Sequence, residues 1–247
     1  FHNPAGTTLT VERRNRLVEL ASHYGVPILE DDPYGQLRYE GEHQPPLVEI
    51  DSEYHGERAG KAAAGGRFRG GVIYLSSLSK TLAPGLRIAW VVAPTDVIGR
   101  LVQIKQGADL HTSTFNQMVA FETARGGFLD HHVKVLRDFY RQRRDAMLEA
   151  LKRFMPDGVE WTRPQGGLFL WLTLPAGDLQ KVGAAAILQE AVKSKVVFVP
   201  GSAFYPGPAA DGSGERSMRL NFSYCTPEVI EVGIRRLSEV VGRALGT

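Results

Sequence analysis

A single cysteine, Cys225, stands among 247 residues, so no internal disulfide and no multi-thiolate metal site can form, which fits a reducing compartment. The cytoplasm is the expected location. Long apolar runs are missing as well: none approaches the roughly 20 residues of a membrane-spanning helix, and the opening residues FHNPAG carry no signal-peptide pattern. Net charge is nearly absent, since 29 Lys and Arg against 27 Asp and Glu leave +2, and no overall field points to nucleic acid or an anionic membrane. The seven histidines show no zinc-ligand spacing, His131 and His132 being adjacent, and no second acidic cluster completes an oxygen shell around Glu30, Asp31 and Asp32. No metal is expected. An initiator methionine is also lacking: the chain opens at Phe1, so a processed terminus or the carboxy-terminal part of a longer protein is expected.

What is present reads as an ordinary globular protein, 43% hydrophobic and 23% charged. Thr10 to Tyr24 predicts a helix with Thr10 as N-cap, Glu12 in the first turn, Leu17, Leu20, Ala21 and Tyr24 along one face, and Gly25 as its stop. Three apolar runs predict buried strands: Val26–Leu29, Val72–Leu75 and Ile88–Ala93. None alternates polar with apolar, as expected of an α/β sheet covered on both faces. Residues 41–71 are polar and rich in Gly, Ala and charge, and predict a surface loop. Beyond Pro94 helices are predicted at Val97–Ile104 and Phe115–Ala124. A longer one reaches Phe154, with Phe139, Arg143, Met147, Ala150 and Phe154 in helical register. Short strands follow at Gly167–Leu172, Val196–Val199 and Met218–Phe222, with a helix at Ala184–Lys193 and a closing helix capped by Thr226 and begun by Pro227. A domain boundary is expected near residue 135.

The chemistry-bearing stretch is SLSK, Ser77 to Lys80, just where a buried strand ends and open α/β sheets place their ligands. A shielded lysine amine is a usable nucleophile for Schiff-base chemistry, although a lone loop lysine is usually just solvated. Ser77, Ser79, Thr81 and Arg87 add hydroxyls and a planar guanidinium, a set suited to phosphate, with Gly85 available for a tight turn. Read singly, the other candidates are ambiguous. Asn3-Pro4 is a turn signal, Asp32 is a potential helix cap before Pro33, and an arginine such as Arg219 between apolar residues is often an ion-paired strand residue.

Together these stretches fall into a known order. S-x-S-K, with an arginine seven positions beyond the lysine, resembles the lysine motif of fold-type I pyridoxal-phosphate enzymes, specifically the class I and II aminotransferases. HNPAG (His2–Gly6) is similar to that family's N-P-x-G motif, EDDPYG (Glu30–Gly35) to its D-x-x-Y motif, and MRLNFS (Met218–Ser223) to its carboxylate-binding strand. PQGGLFLWL (Pro164–Leu172) and VPGSAFY (Val199–Tyr205) resemble its small-domain strand and pocket loop. The resemblance implies an α/β fold: the carboxy-terminal part of a large domain with a mostly parallel sheet (residues 1–135) and a small α+β domain (136–247). It implies pyridoxal 5'-phosphate held by Lys80, with Asp31 on the ring nitrogen, Asn3 and Tyr34 on the phenolic oxygen, and Ser77, Ser79 and Arg87 on the phosphate. Arg219 would take the substrate carboxylate. The implied reaction moves an amino group from an L-amino acid of 2-aminoadipate, aromatic or branched-chain type to a 2-oxoacid such as 2-oxoglutarate, in a homodimer. The family's phosphate loop and ring-stacking aromatic, which precede N-P-x-G, do not occur in these residues.

One rival comes from another class. A GntR-type transcription regulator carries an aminotransferase-like, cofactor-sensing domain behind a winged helix and keeps the lysine and aspartate. The Gly-rich stretch 56–71 offers a weaker one: GERAGKA lacks P-loop spacing, and GGRFRGG is a faint RNA-binding echo in a neutral chain.

Overall fold

The computed structural model describes residues 1–59, 70–176, 183–207 and 212–246. The chain forms two compact units, one of Leu9–Leu136 and one that joins Phe1–Thr8 to Arg137–Thr247. Of the stretch 41–71 read as a surface loop, residues 60–69 lie outside the described residues.

In the unit Leu9–Leu136, helix α1 (Val11–Tyr24) starts where Thr10 Oγ accepts from Arg13 N at 3.4 Å and stops at left-handed Gly25, as the sequence predicts. Its buried face is not the predicted one. Val18 is buried while Leu17, Leu20 and Tyr24 are exposed, because the neighbouring helix and strand meet α1 on the Val18 side. Strand β1 (Ile28–Asp31) follows. Helix α2 (Leu47–Ala59) then occupies much of the supposed loop. Its inward stripe runs Leu47, Ile50, Asp51, Tyr54, and a carboxylate in the middle conceals the helical period. That carboxylate is 2% exposed and accepts from Val72 N at 3.0 Å, so Asp51 fastens α2 to the first residue of β2 (Val72–Ser77). Val18, Leu47, Ile50 and Val72 make one small core, with Ile28, Val48 and Tyr54 packed against it.

Strand order is β1-β2-β3, with β3 at Ala89–Val92. β1 and β2 are parallel, Ile28 opposite Val72 and Asp31 opposite Leu75; the long link through α2 permits this crossover. β2 and β3 are antiparallel, Ser77 opposite Ala89, since the short link from Leu78 to Ile88 holds no crossover helix. Among the described strands the sheet is therefore mixed. Helices α1 and α2 cover one face, whereas Leu29 is 66% exposed and Trp90, Val91 and Val92 are partly so. Helices α3 (Thr95–Asp109) and α4 (Thr114–Ala124) complete this unit.

Helix α5 (Phe128–Phe154) carries the chain into the other unit at Arg137. Its buried residues include Arg144, Met147, Leu148, Ala150 and Leu151, while Phe139 is exposed. The second sheet has the order β4-β5-β7-β6, with β4 at Glu160–Trp161, β5 at Phe169–Thr173, β6 at Val199–Pro200 and β7 at Ser217–Asn221. Leu170, Leu172, Met218 and Leu220 are buried. By alternation, Phe169, Trp171 and Arg219 stand on the other face. Helix α6 (Ala184–Lys193) and helix α7 (Pro227–Leu245) pack together. Thr226 caps α7 and Pro227 begins it, as predicted. β6 is shorter than the apolar run suggests. Lys195 turns through φ +65° and Val196 N donates to Ala191 O at 2.9 Å, so Val196 closes the end of α6 instead of joining the sheet.

The first residues are built into this unit. Gly6 sits at φ +68°, and a Cβ there would lie 2.7 Å from Phe169 O and 3.0 Å from Pro164 Cβ. Only glycine lets HNPAG lie this close to the start of β5.

Candidate functional site

The parallel register brings the carboxyl ends of β1 and β2 side by side. Asp31 ends β1 opposite Leu75, and Ser77 ends β2 two residues further on. Lys80 follows in the turn after β2, half-buried, as are Ser77 and Ser79. Asp31, Ser77, Ser79 and Lys80 thus share one end of the sheet, and Tyr34, buried, lies in the loop leaving β1.

Strand alternation gives the three adjacent acids different surroundings. Glu30 shares its face with Ile28 and turns toward the helices: its Oε2 accepts from Val48 N at 3.3 Å, capping α2, and its Oε1 lies 3.5 Å from Arg14 Nη1. Burial pushes the Glu30 carboxyl above the ordinary carboxylate range, against the opposing pull of backbone N–H groups of Leu47 and Val48 and of Arg14. Asp31 shares the opposite, exposed face with Leu29. Asp32 is structural. Its N–H donates to Leu75 O at 2.8 Å, its carbonyl accepts from Ser76 Oγ at 2.9 Å, and its carboxylate accepts from Tyr74 Oη at 3.5 Å. Burial, first among several causes, raises the Tyr74 phenol above its ordinary value. A side chain at Gly35 would collide with the Asp32 carboxylate. The helix that Asp32 was able to cap is absent, and the segment is a turn.

The S-x-S-K turn has its own internal order. Ser79 N donates to Ser77 Oγ at 3.0 Å, which leaves the Ser77 hydroxyl hydrogen available to an oxyanion. Thr81 is buried rather than presented. The tight turn foreseen at Gly85 is the 3-10 turn Pro84–Leu86; the residue after it, Arg87, is left-handed at φ +54°, and its N–H donates to Pro84 O at 3.3 Å and closes the turn. A non-glycine residue there stores on the order of 1 kcal/mol of backbone strain. The exposed Arg87 guanidinium also folds back onto Pro84 O at 3.3 Å. Asn116 Nδ2, from α4, donates to Leu86 O at 3.2 Å and braces this turn.

In the other unit the structure joins two further candidates directly. Arg219 Nη1 donates to Asn3 Oδ1 at 2.7 Å. That bond leaves the Asn3 amide hydrogens for another acceptor. Arg219 also lies over the rings of Phe169, at 4.2 Å, and Phe204, at 5.0 Å.

Asp51, Ser76 and Asn116 were not singled out in the sequence, because each works through a backbone group far along the chain. Phe169 and Phe204 were legible only as members of their apolar segments; their pairing with Arg219 needs the β5–β7 register and the loop after β6.

Comparison with known proteins follows the same lines. The chain is 46% identical over 241 residues to aromatic-amino-acid aminotransferase 1 of Thermococcus litoralis, covering 98% of this chain and 52% of that relative. It superposes with a TM-score of 0.85 and 38% identity on the α-aminoadipate aminotransferase LysN of Thermus thermophilus, solved with N-(5'-phosphopyridoxyl)-L-leucine, over 99% of this chain and 57% of that one. It is also 32% identical over 245 residues to YisV of Bacillus subtilis, named as an uncharacterised HTH-type transcriptional regulator, covering 99% of this chain and 45% of that relative. The chain thus spans about half the length of these relatives. The model of the family "Aminotransferase class I and II" matches residues 1–237, and the chain belongs to that family, with its fold-type I α/β architecture.

Proposed function

We propose that this chain is the lysine-bearing part of a pyridoxal-phosphate-dependent aminotransferase, moving an amino group from an L-amino acid of 2-aminoadipate, aromatic or branched-chain type to a 2-oxoacid such as 2-oxoglutarate. The observation that carries this reading is Lys80 in the turn directly beyond β2, with Asp31 at the end of the adjacent parallel strand. In this reading residues 1–135 are the later part of the large cofactor-binding domain and 136–247 the small domain.

The donor set fits the group. Ser77, whose Oγ already accepts from Ser79 N, has its hydrogen left for a phosphate oxygen, and Ser79 and Arg87 supply further donors. Asp31, apart from Glu30 and Asp32, is an acceptor for a protonated ring nitrogen. Tyr34 and the amide of Asn3 are donors for a phenolic oxygen. The cofactor, when bound, supplies an electron sink for the carbanion left when a proton leaves the substrate's Cα. Lys80 would hold the cofactor through its amine, and the same amine is the group that would move the proton from the substrate's Cα. Arg219 would take the substrate carboxylate through its planar fork. The partners are then small-molecule amino acids and oxoacids, without nucleic acid or membrane, and the protein is a cytoplasmic homodimer of amino-acid biosynthesis; no described helix is long and apolar enough to cross a membrane.

The likeness to YisV favours a second reading, a cofactor-sensing effector domain of a GntR-type regulator. The higher identity to the T. litoralis enzyme favours catalysis. A winged helix encoded ahead of Phe1 would decide for the regulator. The chemical test is borohydride reduction of the full-length protein with pyridoxal phosphate, followed by peptide mass mapping. A phosphopyridoxyl group on Lys80 alone is expected; modification spread over Lys105, Lys134 and Lys152 instead would refute the site.

A further inference from the structure

The second sheet builds an arginine holder that the motifs do not describe. β7 runs between β5 and β6, so Arg219 has strands on both sides, opposite Trp171 on one and Val199 on the other. Phe169 lies two residues from Trp171 on β5 and therefore on the same face, diagonal to Arg219. The 3-10 turn Gly201–Phe204 directly follows β6 and brings Phe204 to the same place, where its ring meets Trp171 edge to face at 5.7 Å. The guanidinium carbon lies 4.2 Å from the Phe169 ring centre and 5.0 Å from that of Phe204, within cation–π reach of both. One edge of the fork is pinned by Asn3 Oδ1.

We infer that Phe169 and Phe204 are positioning residues. They hold the plane of the Arg219 guanidinium and thereby set the enzyme's preference for substrates with a carboxylate on the reacting carbon. This rests on the aminotransferase reading and deepens it. A free arginine side chain loses much rotamer freedom on binding; two ring faces and one amide oxygen remove that freedom beforehand, so less of the carboxylate's binding energy is lost. A lysine has no planar face for the rings to hold. Trp171 acts one step further out, bracing Phe204.

The test uses full-length holoenzyme and single-turnover amino transfer, followed by the cofactor's absorbance change. Two donors are compared: an aromatic amino acid and the amine that lacks its carboxylate. Phe169→Leu and Phe204→Leu should each lower the rate constant per unit concentration for the amino acid about tenfold, through substrate affinity rather than the saturated rate. The amine should be unaffected. Phe169→Tyr and Phe204→Tyr, which keep the ring face, should restore most of the loss. Equal losses for both donors, or no recovery with tyrosine, would overturn the inference and leave the rings as packing. Modification of Lys80 by borohydride should persist in every variant. Its failure in the unaltered protein would instead strike at the function, so the two failures are distinguishable.

Discussion

The junction between α2 and β2, the strand that leads to Lys80, rests on one carboxylate. Asp51 is 2% exposed; its Oδ2 accepts from Val72 N at 3.0 Å and its Oδ1 lies 3.3 Å from His55 Nε2. Replacing Asp51 by alanine leaves a buried N–H without its acceptor, at about 1–3 kcal/mol, and removes a packed side chain besides. A loss of about 3 kcal/mol is expected. Asparagine keeps an oxygen for Val72 and gives up only the charge, whose partner His55 is partly exposed, so Asp51→Asn should cost about 1 kcal/mol. Urea unfolding of the full-length protein measures both. With a slope of about 2 kcal/mol per molar, Asp51→Ala should lower the midpoint by about 1.5 M and Asp51→Asn by about 0.5 M. The Val72 amide should also exchange faster in the alanine variant. An alanine variant within about 0.5 kcal/mol of the parent, or an asparagine variant as damaged as the alanine one, would refute the claim that this hydrogen bond secures the strand.

Other substitutions test neighbouring parts of the argument. Gly6→Ala meets both a left-handed backbone and the Phe169 carbonyl at 2.7 Å, so a loss of about 2 kcal/mol is expected in thermal or urea unfolding; a neutral result would mean that HNPAG does not pack on β5. Glu30 gives a pH signature. Its carboxyl is raised chiefly by burial, so the folded chain holds that proton more tightly than the unfolded chain does. Glu30 therefore contributes progressively less stability as pH rises from the unfolded carboxyl's value through the folded one. Glu30→Gln keeps an acceptor for Val48 and cannot ionise, so it should gain on the parent as pH rises through that window and stay level above it. If it falls behind as pH rises, the ion pair with Arg14 outweighs the desolvation.

Local chemistry was legible wherever a signal is read within one turn of chain. Thr10 and Gly25 bound α1, and Thr226 with Pro227 starts α7, because caps satisfy backbone groups only a few residues away. The apolar runs marked both β1 and β2. The order of motifs pointed to the family before any coordinate. The sequence did not show α2, whose packing stripe contains the charged Asp51, nor the true face of α1, which is chosen by what packs against it. The tight turn expected at Gly85 forms over Pro84–Leu86, but the sequence did not mark Arg87 as the left-handed residue that ends it. Only the tertiary structure decided that Asn3 and Arg219, 216 positions apart, share a hydrogen bond, and that Phe169 and Phe204 flank the same guanidinium. Propensity and capping act over a few residues, whereas a site made of backbone carbonyls, ring faces and distant side chains exists only once strand register and the close approach allowed by Gly6 have brought them together.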